Sequence, residues 1–260
     1  MGFSNRIRVA TFMLVIAFST VSFSQPGQQK IVVVSDEWCP YNCAPGSDIP
    51  GYIVEIVKAI FAEHNIGVEY VKIPWTQAIK GVESGEYNAA LAATKTTIPN
   101  AVFPKEEVGY YSNNFIVLKE NSWRFSGIDS LKSVKLGVIR DYVYGPALDA
   151  YVWKPNNTLV EVLAGANASQ LNISKLHNKR IDVYLEDANV AYYEARKLRL
   201  DKNIQLAGSE GQPAALYVAF SPSLPSSKKY AEMFSTGIQN MRSSGKLLYI
   251  LNKYGVKDWK

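Results

Sequence analysis

Hydrophobic positions between Pro50 and Asn100 alternate between two periods. Ile53, Ile56, Val57, Ile60 and Phe61 recur at helical spacing, and GVEYVKI at 67–73 then alternates as a half-buried strand does. Trp75, Ile79 and Val82 return to helical spacing, and the small apolar run Ala89 to Ala93 reads as a buried strand. With KIVVVS at 30–35 in front, the pattern predicts β-α-β-α-β. Such an alternation implies a parallel sheet with helices packed on it, whose ligands sit beyond the carboxyl ends of the strands. Asp36 and Lys95 follow two of those ends.

The same grammar continues. FIVLK at 115–119 predicts a strand, Ile128 to Ser133 a helix, LGVI a strand, and the stretch after Tyr144 a helix. Strand TLVEVL, a helix through Leu171 and Leu176, strand IDVYLE, a helix from Asn189 to Leu200 and strand NIQLAG follow. After LYVAFSP, an amphipathic helix carrying Tyr230, Met233, Phe234, Ile238 and Met241 closes the order. No repeat, low-complexity segment or long linker interrupts it, and the length is ample for two lobes of about 100 residues, each able to bury a core.

The N-terminus reads differently. Arg6 and Arg8 precede an apolar run from Val9 to Phe18, and Ser22 to Ser24 offers small residues at a cleavage point before Gln25. This is the pattern of a cleavable signal peptide over 1–24, and the run is far below the roughly 20 residues of a membrane span. No cysteine follows the run, so a soluble periplasmic protein is the expectation. Removing the two arginines lowers the formal charge from +5 to +3. The remaining cations are scattered with no aromatic-interleaved basic stripe, which makes nucleic acid a poor partner.

Cys39 and Cys43 are the only cysteines, both in the loop WCPYNC after the first strand. In an exported chain an even, close pair favours a disulfide, with two free thiols as the alternative. A zinc site needs more ligands than these, and only His64 and His177 are present, at predicted helix ends. No metal and no cofactor is expected.

Several of these stretches, taken in order, resemble one family. Lys30 to Asp36 followed by an aromatic and a proline, then GYIVEI, then Pro74-Trp75 before a helix ending ESGEYNAA, is similar to the type II periplasmic solute-binding proteins, in the branch (family 3) that includes the amino-acid-binding proteins of ABC transporters. SLKSVKLGV and the ending MRSSGKLLYILNKYG extend the resemblance over almost the whole mature chain. It implies an α/β fold of two lobes, each a mainly parallel sheet flanked by helices, joined by a hinge crossed twice. Lobe 1 would comprise 25–109 and 217–260, lobe 2 would comprise 115–211, and the crossings would lie at 110–114 and 212–216.

The resemblance also implies cleft residues. Asp36 and Trp38 match a polar contact and an aromatic wall, with a loop cap and a core tryptophan as the alternatives. Trp75 matches an aromatic stacked over the ligand, although it also starts a helix on its apolar face. Amino-acid binders of the family carry an arginine that clamps the ligand carboxylate after the third strand. Here that stretch reads ATKTTIPN, with Asn100 in the arginine's place and Lys95 in the place of a Ser or Thr. A carboxylate contact then moves to Lys95, a point charge without the planar fork, or is lost. After LGVI, Arg140 and Tyr142 occupy the family's anion-binding turn, with an exposed loop arginine as the alternative.

Glu186 and Asp187 end IDVYLE, and Asp187 matches the acid that holds a ligand ammonium, while an N-cap accounts for it equally. Two adjacent carboxylates opposite Lys95 and Arg140 suggest a zwitterion or a cationic amine. The implied function is capture of a small polar solute by a monomer in an interlobe cleft, read by an ABC-type permease. Runner-up roles are a ligand-sensing module for a signalling or chemotaxis receptor and, further off, a cyclohexadienyl dehydratase-like enzyme using Glu186 and Lys95 as acid and base.

Overall fold

The computed structural model describes Met1 and residues 29–140, 142–165 and 167–260. The expected signal peptide therefore lies outside the described residues, apart from Met1. In chain order the elements are β1 (Lys30–Ser35), α1 (Tyr52–Ala62), β2 (Gly67–Lys72), α2 (Trp75–Ser84), β3 (Ala89–Ala93), β4 (Gly109–Leu118), a 3-10 helix (Ile128–Ser133), β5 (Leu136–Ile139), α3 (Pro146–Val152), β6 (Val160–Leu163), α4 (Ala168–His177), β7 (Val183–Glu186), α5 (Ala188–Lys197), β8 (Ile204–Phe220), α6 (Ser227–Ser243) and α7 (Lys246–Tyr254). The β1 and β3 ranges coincide with those expected from pattern. Ile128–Ser133, expected as an ordinary helix, is a tighter 3-10 turn.

The eight strands form one mixed sheet in the order β2-β1-β3-β8-β4-β7-β5-β6. Two sheets were expected, one per lobe. They merge because both crossing segments stay extended and pair with each other: Gly109, Tyr110 and Tyr111 lie opposite Leu216, Ala215 and Ala214. β1 pairs in parallel with β2 and β3, and β5 with β6 and β7. β8 runs antiparallel to β3 and β4, and β4 antiparallel to β7. The order is therefore near-palindromic, β2-β1-β3 at one end answering β6-β5-β7 at the other.

Apolar residues gather in four clusters. One packs α1, α6 and α7 on the β1 side, where Ile53, Ile56, Val57, Ile60 and Phe61 are wholly buried. Each such side chain contributes roughly 2 kcal/mol of burial. The opposite face holds Val34, Ala78, Val82, Ala90 and Ile98. Two further clusters cover the faces around β4, β5 and β7, built from residues between Phe115 and Ala207. The register between β4 and β8 slips twice, between Tyr111 and Asn113 and between Asn114 and Ile116. The first slip faces Gly211, Gln212 and Pro213. Gly211 has a φ of +76°, a conformation glycine adopts without strain.

Candidate functional site

Register decides where the strand ends meet. Ala93, the last residue of β3, lies opposite Tyr217 of β8, while Glu186, the last of β7, lies opposite Asn114, which itself faces Ser209. Because β3 and β7 run in opposite senses, their carboxyl ends face each other across the middle of β8. The eight residue steps from Ser209 to Tyr217 span at most about 26 Å at the usual rise per strand residue. Side chains from both ends project into that gap.

From the β1 end comes a small closed loop. Trp38 and Asn42 exchange backbone hydrogen bonds of 2.7 and 3.0 Å, Cys39 and Cys43 form the disulfide with Cα atoms 4.9 Å apart, and Asn42 Nδ2 donates to Ser35 Oγ and the Asp36 carbonyl, each at 2.7 Å. The loop holds the Trp38 ring stacked on Tyr41, centroids 4.2 Å apart, and edge-on to Tyr111 at 5.8 Å. Asp36 keeps an open face to solvent, yet it sits low among its neighbours, and the loss of surrounding water raises its pKa.

From the β7 end come Glu186 and Asp187, both buried. Asp187 caps α5: Oδ1 accepts from Asn189 N at 2.9 Å and Val190 N at 3.3 Å, and Oδ2 accepts from Ser112 N at 3.1 Å. Oδ1 also meets the Tyr41 hydroxyl at 2.8 Å. That hydroxyl lies 2.9 Å from the Tyr110 carbonyl and accepts from Asn189 Nδ2 at 3.1 Å. Its single proton serves one of two acceptors, the carboxylate when Asp187 is ionised. Burial pushes Asp187 up to about 6, against these hydrogen bonds.

Glu186 accepts from the Asp187 amide and the Tyr184 hydroxyl, each at 2.8 Å, and burial pushes it up to about 8. Tyr142 is half-buried, and its hydroxyl proton is held tightly by burial and by Glu186, with weaker contributions from Asp36 and Asp187. Tyr142 therefore senses acids from both ends of the gap.

The structure thus draws Asp36, Trp38, Tyr142, Glu186 and Asp187 into one region. Trp75, Lys95 and Arg140 make no hydrogen bond or ring contact with these five among the described residues. Trp75 is half-buried on the cluster of Val34, Ala78 and Ala93, and exposed Lys95 lies 4.9 Å above the Tyr217 ring. Arg140 is exposed beyond β5, its amide bonded to the Leu163 carbonyl at 2.7 Å. Sequence reasoning missed Tyr41, Tyr111 and Asn189. The position of Tyr41 between paired cysteines was the one available signal, since its partners are distant in the chain. Among the described residues, no group of three or more His, Cys, Asp and Glu side chains could hold a metal ion, and no helix is long and apolar enough to cross a membrane.

The pair of raised acids makes stability pH-dependent. A carboxyl whose folded pKa lies above its unfolded value contributes stability below the unfolded pKa that is lost as pH rises through the folded one. For Glu186 the window runs from the ordinary value of 4.5 to about 8. Glu186→Gln keeps an acceptor for the Asp187 amide and a polar partner for Tyr184. Its unfolding free energy is expected to flatten across this window relative to the parent, by on the order of a few kcal/mol in urea titrations at both ends.

Opposed strand ends that bring acids and aromatic rings together suit the holding of a small solute. Residues 31–257 match the bacterial extracellular solute-binding proteins, family 3, and the chain belongs to that family. Membership makes it a solute-binding component rather than an enzyme. Over 127 residues it is 28% identical to the arginine-binding extracellular protein ArtP of Bacillus subtilis (strain 168). That match spans 48% of this chain and 48% of ArtP, about half of each. Among solved structures, the arginine-, lysine-, histidine-binding protein ArtJ of Geobacillus stearothermophilus is similar with a TM-score of 0.63 at 18% identity, over 89% of this chain and 97% of that one. A histidine kinase sensor domain with similarity to periplasmic binding proteins gives a TM-score of 0.63 at 17% identity, over 87% and 96%. At such identities the likeness is one of fold.

Proposed function

We propose that the mature chain is a two-lobed periplasmic receptor that captures an amino acid or related amine of positive charge, arginine-like, and delivers it to an ABC-type permease. The observation that carries this reading is the set of groups at the opposed strand ends: three carboxyls, Asp36, Glu186 and Asp187, come from both sides, beside Trp38, Tyr111 and Tyr142. A cation there gains charge-assisted hydrogen bonds and aromatic faces. The similarity to ArtP points to the same class.

The division of the four core clusters supports lobes of 25–109 with 217–260 and 115–211, with crossings at 110–114 and 212–216. The buried residues of two clusters come from 31–108 and 216–256, apart from Val190, and those of the other two from 115–207. In this reading Asp36, Trp38 and Tyr142 meet the ligand directly, and Trp75 walls the far side. Lys95 and Arg140 serve a ligand carboxylate, Asp187 supplies negative potential behind the contact, and Glu186 joins it once a bound cation favours its ionised form. Closure follows from contacts made only when both lobes touch the solute. Cleavage of 1–24 releases the protein, a monomer, into the periplasm.

The decisive experiment is thermal unfolding of the mature protein against arginine, lysine, histidine, agmatine, putrescine, glutamate and small sugars. A ligand at a hundred times its dissociation constant adds about 2.7 kcal/mol. Basic amino acids are expected to stabilise, and agmatine, which lacks the carboxylate, reports what Lys95 and Arg140 contribute. Stabilisation by glutamate or sugars alone would sink the proposal. The likeness to a histidine kinase sensor domain keeps a sensing role as the second reading, and a receptor gene beside this one, in place of a permease gene, would favour it.

A further inference from the structure

Behind the crossing strands lies a cavity of about 570 Å³ that the proposed function does not use. Its walls come from the α5 face of Ala188, Tyr192 and Arg196, from Tyr110 and Leu206 on the crossing strands, and from the segment after α7 through Trp259. The volume falls in the range of small-molecule sites. Tyr110 and Leu206 are 38% and 43% exposed, large apolar surface left open in a concave place.

Two cations overlook this cavity without ion pairs among the described residues. The acids around them are taken by other cations: Glu55 by Lys253 at 2.7 Å, Asp258 by Arg242 at 3.0 Å, Glu194 by Lys197 at 2.9 Å and Glu107 by Lys260 at 3.5 Å. That leaves Arg196 and Lys257. The Arg196 guanidinium is positioned by one bond, Nη2 to the Tyr254 carbonyl at 2.6 Å, and lies against the bare Gly255 backbone, where a Cβ would stand 2.7 Å from Nη1. Its other hydrogens remain for an acceptor. Lys257 is exposed beside it.

We propose that this cavity is a second ligand site, separate from the cleft, for a small aromatic carboxylate. The carboxylate meets the Arg196 fork with Lys257 as a second charge, and the ring lies against Tyr110, Tyr192 and Leu206. Walls this apolar favour an aromatic body over inorganic phosphate, which offers the rings nothing to pack against. A cationic ligand is repelled.

Calorimetric titration of the mature protein with indole-3-acetate, with tryptamine and inorganic phosphate as controls, tests the site. Indole-3-acetate is expected to bind saturably, and neither control to bind there. Lys257→Glu and Leu206→Glu both change exposed side chains and preserve the fold, as circular dichroism will check. Each is expected to weaken indole-3-acetate at least tenfold. No saturable heat up to about 10 mM, well above the 1 mM that marks about −4 kcal/mol of binding, overturns the proposal. So does binding that neither variant weakens, or phosphate binding that Lys257→Glu abolishes, which would make the place a simple anion patch.

Discussion

Asp187→Ala is expected to lower the unfolding free energy by about 3–5 kcal/mol, among the largest effects a single substitution here can have. The carboxylate accepts from three backbone amides and meets the Tyr41 hydroxyl. Its removal strips α5 of its cap and leaves donors in a buried place without that acceptor, at about 1–3 kcal/mol for each one left unsatisfied. Tyr41 also loses the partner that ties the disulfide loop to β7 and α5. Asp187→Asn separates these contributions. Its Oδ1 retains the cap, but its Nδ2 then faces the Ser112 amide, donor against donor, so an intermediate loss of about 1–2 kcal/mol is expected. Urea unfolding of the three proteins measures the ordering; equal stability of Asp187→Ala and parent would dismantle the account of this region. Loss of ligand affinity in Asp187→Ala alone does not locate an ammonium site, since the same change releases Tyr41 and Trp38.

Gly51→Ala is the second large effect. Gly51 precedes α1 with a φ of +106°, and an added Cβ would stand 2.4 Å from the Tyr41 carbonyl and 2.6 Å from Asn42 Cα. Those are backbone atoms of the disulfide loop, which cannot rotate away as a side-chain end would. The strained dihedral and the overlap together are expected to cost about 3 kcal/mol or more, a fall in Tm of roughly 10 °C. Because the loop must shift to admit the methyl group, the stacking of Trp38 on Tyr41 is expected to change as well, read as altered near-ultraviolet circular dichroism. A variant with parent Tm and spectrum would show that the loop is not pinned there.

Local pattern carried most of the architecture. Lys30–Ser35 and Ala89–Ala93 were legible as strands because their apolar runs are short, bounded and rich in small or β-branched side chains. The helix through Ile53, Ile56, Val57, Ile60 and Phe61 was legible because one face is buried throughout. The merging of the sheets was not, since Gly109 to Tyr111 and Ala214 to Leu216 show no strand period of their own and extend by pairing with each other. Resemblance brought out Asp36 and Trp38, and the position of Asp187 before a helix brought out its cap. The inward turn of Glu186 toward Tyr184 and the reach of Tyr41 across to Asp187 depend on contacts between distant parts of the chain, which periodicity does not encode. Trp75, Lys95 and Arg140 carry the right chemistry at strand and helix ends, but their settings were decided by neighbours such as Tyr217 that lie far away in sequence.

A cationic solute is expected to bind between Asp36 and Tyr142. Calorimetric titration of L-arginine into the mature protein and into Asp36→Asn tests it most directly. Asp36 is the choice because, among the described residues, its carboxylate accepts from just one side chain, the Ser35 hydroxyl at 3.4 Å, so its neutralisation leaves the fold intact. One-to-one binding by the parent, weakened at least tenfold in Asp36→Asn, is expected. Absence of binding, or equal affinity in the two proteins, would contradict it.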